Sequence, residues 1–270
     1  MSDDFDPDLF AKKELDTWDR CANSYLDTWA GLMNETTPPV VAAGAISAGS
    51  RVLELGSGPG NTANILAQSG ASVTAIDFSS KMVEVARSAY PEITFKQADA
   101  EQLPFEADSF DAVVASFLLH RLARPEVVLR EAFRVLKPTG RFAFALFGEA
   151  EDQSSVMAFF EAVEAHHEFG KAVLPPLYGV TERSVFEPML LGAGLIDCKL
   201  DVHEIRWRTD SLDPVIRGFW DYANITELPS KVQKNIVETL TEKTQAFKHD
   251  NGFDFPHTAL VGSAMKPQRS

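Results

Sequence analysis

Glu54-Leu55-Gly56-Ser57-Gly58-Pro59-Gly60 follows a short β-rich run, Arg51-Val52-Leu53-Glu54-Leu55, and opens a segment expected to be helical near 60–69. A glycine-rich turn between a strand and a helix lets the backbone approach a ligand closely. A tight structural turn explains the same glycines, so the surrounding residues must decide. A dinucleotide fingerprint requires Gly-x-Gly-x-x-Gly; here the third glycine, Gly60, arrives one position early, and Asn61 occupies its slot. Glu54 also places a carboxylate where a pyrophosphate would be repelled, whereas a ligand carrying an amino group and a sulfonium would be attracted. The turn therefore favours a cationic ligand over a nicotinamide dinucleotide.

Working outward, strands and helices alternate: a strand near 72–77, a helix near 80–89, strands near 93–97 and 111–116, a helix over 125–136, and a fifth strand over Arg141–Phe147. Such alternation predicts a parallel sheet. Beyond it the pattern loosens into helices near 154–169 and 181–191, a strand near 196–207, helices near 211–223 and 229–247, and a last strand near 256–265. On the other side, residues 1–8 are acidic and expected to fray. Leu15, Trp18, Ala22, Tyr25, Trp29 and Leu32 then recur at steps of three and four, which predicts one amphipathic helix broken by Thr36-Thr37-Pro38-Pro39. The resulting division is a helical cap over 1–44, a ligand-binding core over 45–150 and a remainder over 151–270 that completes the sheet and covers the site, with Leu174–Gly179 as a loop or hinge.

Two acidic residues stand where an adenosine would need them. Asp77 ends the second strand, placed to accept from both ribose hydroxyls, with Phe78 beside it to pack on the adenine; helix capping is the competing role, but Ser79 suits it better. Asp99 follows the third strand, where a carboxylate accepts from the adenine amino group. These positions share the carboxyl edge of the sheet, where open α/β folds bind ligands.

The ordered set Val52–Gly60, Asp77, Asp99-Ala100-Glu101-Gln102-Leu103-Pro104-Phe105, Ser109-Phe110-Asp111-Ala112-Val113 and Arg130–Gly140 resembles the class I S-adenosylmethionine (SAM) methyltransferases. Within them the chain is similar to the ubiquinone/menaquinone biosynthesis branch, with a methyltransferase type 11 domain. The likeness is close over 45–147 and holds elsewhere in outline. It departs at Thr139, where the family often has glycine. The resemblance implies a Rossmann-like, doubly wound, seven-stranded α/β sheet with the last strand antiparallel, and SAM as cofactor. Gly56, Ser57, Gly58 and Gly60 would then line its methionine and ribose side, with Asp77 at the ribose and Asp99 with Ala100 at the adenine. The implied reaction is in-line methyl transfer to a small-molecule acceptor through oxygen, nitrogen, carbon or sulfur. The alternative is a protein that binds SAM without catalysis, as a sensor or regulator.

Ser116, ending the fourth strand, is expected at the methionine portion, and His120 is a candidate general base because an unperturbed imidazole titrates near neutrality; packing is its competing role. Among the aromatic residues, Trp18, Tyr25 and Trp29 are candidates to close over the site, and Phe159, Phe160, Tyr178, Trp207, Phe219, Trp220 and Tyr222 to shape an acceptor pocket, with core packing the default reading for most of them. Tyr25 and Trp220 are the two favoured as functional. His166 and His167 fall on a predicted helix in the covering half. No histidine–carboxylate spacing forms a metal site, so metal-independent chemistry is expected. Cys21 and Cys198 are too far apart to suggest a disulfide framework and read as reduced packing thiols.

The 270 residues carry a formal charge of −14, which opposes nucleic acid as a partner. No apolar run reaches a membrane-spanning length, and the N-terminus lacks the pattern of a secretory signal, so a cytoplasmic location is expected. Oligomeric state is not legible.

Overall fold

A computed structural model describes residues 5–168, 176–177 and 179–268. Five strands, β1 (Arg51–Leu55), β2 (Ser72–Asp77), β3 (Thr94–Gln97), β4 (Phe110–Ser116) and β5 (Leu136–Phe147), pair in parallel. β6 (Ile196–Thr209), the two-residue β7 (Lys248–His249) and β8 (Gly252–Met265) complete the sheet. The order is β3-β2-β1-β4-β5-β8-β6, with β7 paired to β8. β8 runs antiparallel to both neighbours. The main path therefore has the seven strands expected from the sequence, and β7 is an added hairpin stub.

The chain leaves β1 in one direction toward β3 and then returns on the other side of β1 with β4, so β1 and β4 are neighbours. Their carboxyl ends diverge into connections on opposite faces, which opens the crevice typical of a topological switch point. Both faces of the sheet are covered: consecutive β4 residues Val113, Val114 and Ala115 are fully buried, the continuous apolar run of a central parallel strand.

Helices α1 (Pro7–Cys21), α2 (Ala30–Asn34) and α3 (Thr37–Ala43) precede the sheet; α4 (Asn61–Gln68), α5 (Ser80–Ala89) and α6 (Pro125–Val135) cross between its parallel strands. α7 (Ser154–Glu164), α8 (Arg183–Gly192), α9 (Asp213–Ala223) and α10 (Ser230–Lys243) follow. α6 buries Val128, Leu129, Ala132 and Val135, one helical face, against the sheet. A second core joins the cover: Trp29 stacks on Trp207 with centroids 5.0 Å apart, and Phe159 on Phe219 at 4.3 Å.

Several expectations are corrected. The single helix expected through Leu32 is two helices, because the chain turns between Cys21 and Ala30 to bring Trp29 onto Trp207. The expected break at Thr36–Pro39 is present, since α2 ends at Asn34 and the short helix α3 follows it; Thr37, Pro38 and Pro39 begin α3, where proline's missing N–H costs nothing. Residues 5–8 do not all fray, since Asp6 accepts from the amides of Asp8 and Leu9 and caps α1. α7 ends at Glu164, so His166 and His167 lie past its end; His166 instead bonds to Thr239 Oγ1 at 2.8 Å. α10 ends at Lys243, short of residue 247.

Candidate functional site

The glycine loop is held by the end of β2. Asp77 accepts from the Gly58 amide through Oδ2 at 2.8 Å and from the Ser79 amide through Oδ1 at 2.9 Å. Ser79 Oγ in turn accepts from the Met82 amide and caps α5. Asp77 thus anchors the loop while Ser79 does the capping. Gly56, Gly58 and Gly60 all take positive φ. A Cβ on Gly60 would lie 2.6 Å from Phe95 Cζ, whereas one on Gly58 would meet nothing within 4 Å. Gly60 serves packing against β3, and Gly58 faces open space.

Glu54 lies beneath the loop, 1 % exposed, accepting from the Ala63 amide. Its Oε2 has no partner among the described residues. Burial, reinforced by the Asp77 charge, pushes its carboxyl well above the usual range. Asp77, 6 % exposed, is raised by burial to about 6, with its backbone bonds opposing the shift.

A cavity of about 650 Å³ opens at this carboxyl edge, within the range of small-molecule sites. Of the residues singled out from the sequence, Tyr25, Gly56, Gly58, Asp77, Phe78, Asp99, Ala100, Ser116 and His120 border it. Glu54, Ser57 and Gly60 sit behind that wall, each buried or turned toward the core. Asp99 is exposed at the rim, where Oδ1 accepts from the Glu101 amide at 2.8 Å.

From β4 the chain enters the cavity wall. Ser116 Oγ is buried without a partner. Phe117 takes φ +54°, a left-handed conformation disfavoured for aromatic residues and typical of functional turns. A short 3-10 turn, Leu119–Arg121, then carries His120, which is 7 % exposed and packs edge-on to Phe147 at 6.0 Å. Its Nδ1 is buried and unpartnered. Burial first, and the neighbouring Arg121 charge second, hold its pKa well below the usual imidazole value. His120 is therefore neutral at physiological pH, and the expectation of an imidazole titrating near neutrality is corrected.

The cover is pinned by Arg121, which sequence reasoning missed. Its guanidinium lies 5.6 Å from the Trp18 ring and 5.0 Å from the Tyr222 ring, and Nη1 donates to Tyr222 Oη at 2.6 Å. Glu14 approaches the same guanidinium at 4.0 Å and accepts from Trp18 Nε1 at 3.0 Å. Only the i,i+4 spacing of Glu14 and Trp18 was visible in the sequence. Trp18, Tyr25 and Trp29 all border the cavity, as do Phe160, Phe219 and Tyr222. Burial raises the Tyr25 phenol above its ordinary value, so it carries its proton. Trp220, favoured from the sequence, does not border the cavity; it packs on Phe159. Phe159 and Trp207 are core residues, and Tyr178 lies outside the described residues. His257 is also structural, bonded to Gln153 through Nδ1 and Ser155 through Nε2. Among the described residues no cluster of three His, Cys, Asp or Glu side chains is arranged to hold a metal, and no helix is long and apolar enough to cross a membrane.

A doubly wound sheet of this strand order, with one antiparallel strand and the glycine loop at its switch point, is the Rossmann-like class I methyltransferase fold. Residues 53–144 match the family model described as "Methyltransferase domain", and the chain carries a domain of that family. A demethylmenaquinone methyltransferase of Clavibacter sepedonicus is 47 % identical over 103 residues, 37 % of this chain and 42 % of that protein. The chain thus spans less than half the length of that curated relative. The crystal structure of the YcgJ protein from Bacillus subtilis superposes with TM-score 0.58 at 23 % identity, covering 87 % of this chain and 100 % of that one. A Haemonchus contortus phosphoethanolamine N-methyltransferase 2, solved with phosphomonomethylethanolamine and S-adenosylhomocysteine, superposes with TM-score 0.53 at 20 % identity over 87 % of this chain and 53 % of its own.

Proposed function

We propose that the protein binds SAM at the carboxyl edge of β1, β2 and β4 and transfers its methyl group to a small-molecule acceptor. The observation that carries this reading is the cavity bordered at once by Gly58, Asp77 and Asp99, with the buried polar atoms Glu54 Oε2 and Ser116 Oγ left unpartnered on the two strands of the switch point. Buried polar atoms rarely stay unsatisfied; a ligand in the cavity supplies a partner for Ser116 Oγ, which borders it, and an ammonium there acts on Glu54 behind the wall through its charge. The donor set therefore fits SAM.

In this reading Asp77 accepts from the ribose hydroxyls with the lone pairs its backbone bonds leave over. Asp99 takes the adenine amino group, Phe78 packs against the adenine, and the Ala100 amide addresses the ring edge. The Gly56 and Gly58 backbone lies along the methionine portion, Ser116 hydrogen-bonds it, and the ammonium draws a negative charge onto Glu54 below. When bound, SAM supplies a methyl carbon activated by positive sulfur, and the carbon–sulfur bond breaks as the acceptor's bond to carbon forms, leaving S-adenosylhomocysteine. The chain contributes orientation and exclusion of water: Trp18, Tyr25 and Tyr222 cover the cavity, and Arg121 holds that cover to the β4 turn. A neutral His120 and a protonated Tyr25 provide hydrogen bonds rather than strong bases. The charge of −14 opposes nucleic acid as a partner, and the cavity's size suits a small molecule; a cytoplasmic enzyme without a membrane partner completes this reading.

Calorimetric titration with S-adenosylhomocysteine tests the binding half, and transfer of labelled methyl from SAM into a metabolite extract tests the catalytic half. Absence of binding removes the whole reading. Binding with no transfer to any extract leaves a SAM-binding protein.

A further inference from the structure

β6 ends the sheet, and among the described residues no strand pairs with its outer edge. Its inner edge is matched to β8 without a break from Lys199 to Thr209, so the outer edge is equally long and regular. The one register shift lies at the start of the strand, between Ile196 and Lys199. A regular open edge presents a row of N–H and C=O groups to which another strand can pair, and folds that avoid this interrupt the edge with bulges or proline. From Lys199 onward β6 has neither.

The side chains along the edge divide by face. Cys198 and Leu200 turn toward α8 and pack against the core that holds Phe186 and Leu190. Alternation puts Val202 on the same face, yet it is 68 % exposed. Arg183, Glu187 and Leu191 follow one another at steps of four along α8, and Arg183 Nη2 donates to the Cys198 carbonyl at 2.9 Å, which sets this stripe beside the edge. Leu191 at its end is 50 % exposed, so apolar surface continues from strand to helix. On the opposite face stand Lys199 and Asp201, both exposed.

Charge selects the occupant. With −14 on each chain, two copies repel over most of their surface. From Lys199 to Thr209, however, Lys199, Arg206 and Arg208 stand against only Asp201 and Glu204, so a second copy meets no negative excess here. A two-fold axis through Leu200, perpendicular to the sheet, lays two β6 strands antiparallel. Leu200 then meets Leu200 of the second copy, Cys198 lies opposite its Val202, and Lys199 lies opposite its Asp201, each pair occurring twice. Moving the axis to Asp201 would oppose two aspartates, and moving it to Val202 would set Leu200 against Glu204. The Cys198 carbonyl keeps a second lone pair beside its bond from Arg183.

We propose that the protein forms a symmetric dimer in which two β6 edges pair antiparallel about Leu200, continuing the sheet from one copy into the next. Lys199 and Asp201 form reciprocal ion pairs on one face of the joint, and Val202 covers Cys198 on the other. This interface is independent of the methyl-transfer reading.

Sedimentation equilibrium of the full chain, from dilute to concentrated solution at low salt, is expected to show association to twice the chain mass. Lys199→Asp and Asp201→Lys each place like charges opposite one another at both ends of the joint and should weaken the dimer by about tenfold or more. The double variant carrying both substitutions restores opposite charges in every pair and should return the dimer to near wild-type strength. Both side chains are exposed, so circular dichroism should show all three variants folded. A wild type that stays at the mass of one chain at every concentration, a single variant that associates as tightly as wild type, or a double variant that fails to recover would overturn the proposal.

Discussion

Asp77 Oδ2 and the Gly58 amide, 2.8 Å apart, join the end of β2 to the glycine loop that follows β1. The same carboxylate therefore shapes the loop and, in the proposed complex, receives the ribose. Replacing it with alanine removes a charged acceptor from two amides and from the ligand. The expected loss of S-adenosylhomocysteine affinity is about 1.5–3 kcal/mol, the range for hydrogen bonds to charged groups, read by calorimetry at pH 7.5. Unchanged affinity would show that Asp77 serves the loop alone.

Because burial raises Asp77 to about 6, its acceptor capacity is lost on mild acidification. A carboxylate accepts from both ribose hydroxyls, and a protonated carboxyl does so less well. Affinity for S-adenosylhomocysteine should hold steady above about pH 6 and fall below it, by at most roughly tenfold per pH unit. Asp77→Asn should bind more weakly at pH 7.5 and show a flat profile through the same window. If the asparagine variant retained the acid-side fall, another group would be responsible.

Gly58 and Gly60 separate ligand contact from packing. Alanine at Gly60 would place Cβ 2.6 Å from Phe95 Cζ at φ +90°, so the fold must shift, and a loss of about 2–3 kcal/mol in urea unfolding is expected. Alanine at Gly58 meets no atom within 4 Å and costs only the left-handed conformation, about 1–2 kcal/mol. Its methyl group would project into the space proposed for the cofactor, so the Gly58 variant should lose affinity out of proportion to its stability. Equal affinity loss in the two variants, after correction for the folded fraction, would argue against that placement.

What could be read before the structure follows from how locally each feature is encoded. β4 and the helix α6 announce themselves through a continuous apolar run and a one-sided apolar face, and the loop through its glycines. The break between α1 and α2 was invisible, because Leu15 to Leu32 keep helical spacing straight through it; the packing of Trp29 on Trp207, far away in the chain, imposes the turn. Arg121 was missed for the same reason, since Trp18 and Tyr222 reach it from opposite ends of the sequence. Trp220 and Tyr222 are two residues apart on α9, about 200° around the helix, and periodicity alone could not say which face meets the cavity.

Thr139, the departure from glycine noted in the sequence, adopts φ +66° while its amide donates to the Lys266 carbonyl at 2.9 Å. A β-branched residue in this region is strained. Thr139→Gly should relieve about 1–2 kcal/mol of strain and return part of it as extra entropy of the unfolded chain, for a net gain of about 0.5–1 kcal/mol. The amide bond to Lys266 is unaffected by the substitution. A thermal melt showing no gain would place the compensation in contacts of the threonine side chain.

His257 and Asp77 should pull the pH dependence of stability in opposite directions. Burial lowers His257 from 6.5 to about 4, so between these values the unfolded chain binds the proton that the folded chain refuses. Stability from this group is therefore complete above 6.5 and is lost as pH falls toward 4, by about 3 kcal/mol in total. Asp77, raised from 3.8 to about 6, holds its proton more tightly when folded, so its contribution grows as pH falls through nearly the same window. In the wild type the two largely cancel. His257→Gln keeps a polar side chain beside Ser155 and Gln153 but cannot titrate, which removes the His257 share of the acid-side loss and leaves every other titrating group as in the wild type. Relative to wild type, the variant should gain about 2–3 kcal/mol between pH 7 and pH 4.5 in urea unfolding, even if it is less stable at pH 7. A stability difference independent of pH would mean that His257 accepts a proton within the fold, contrary to its sealed position between β8 and α7.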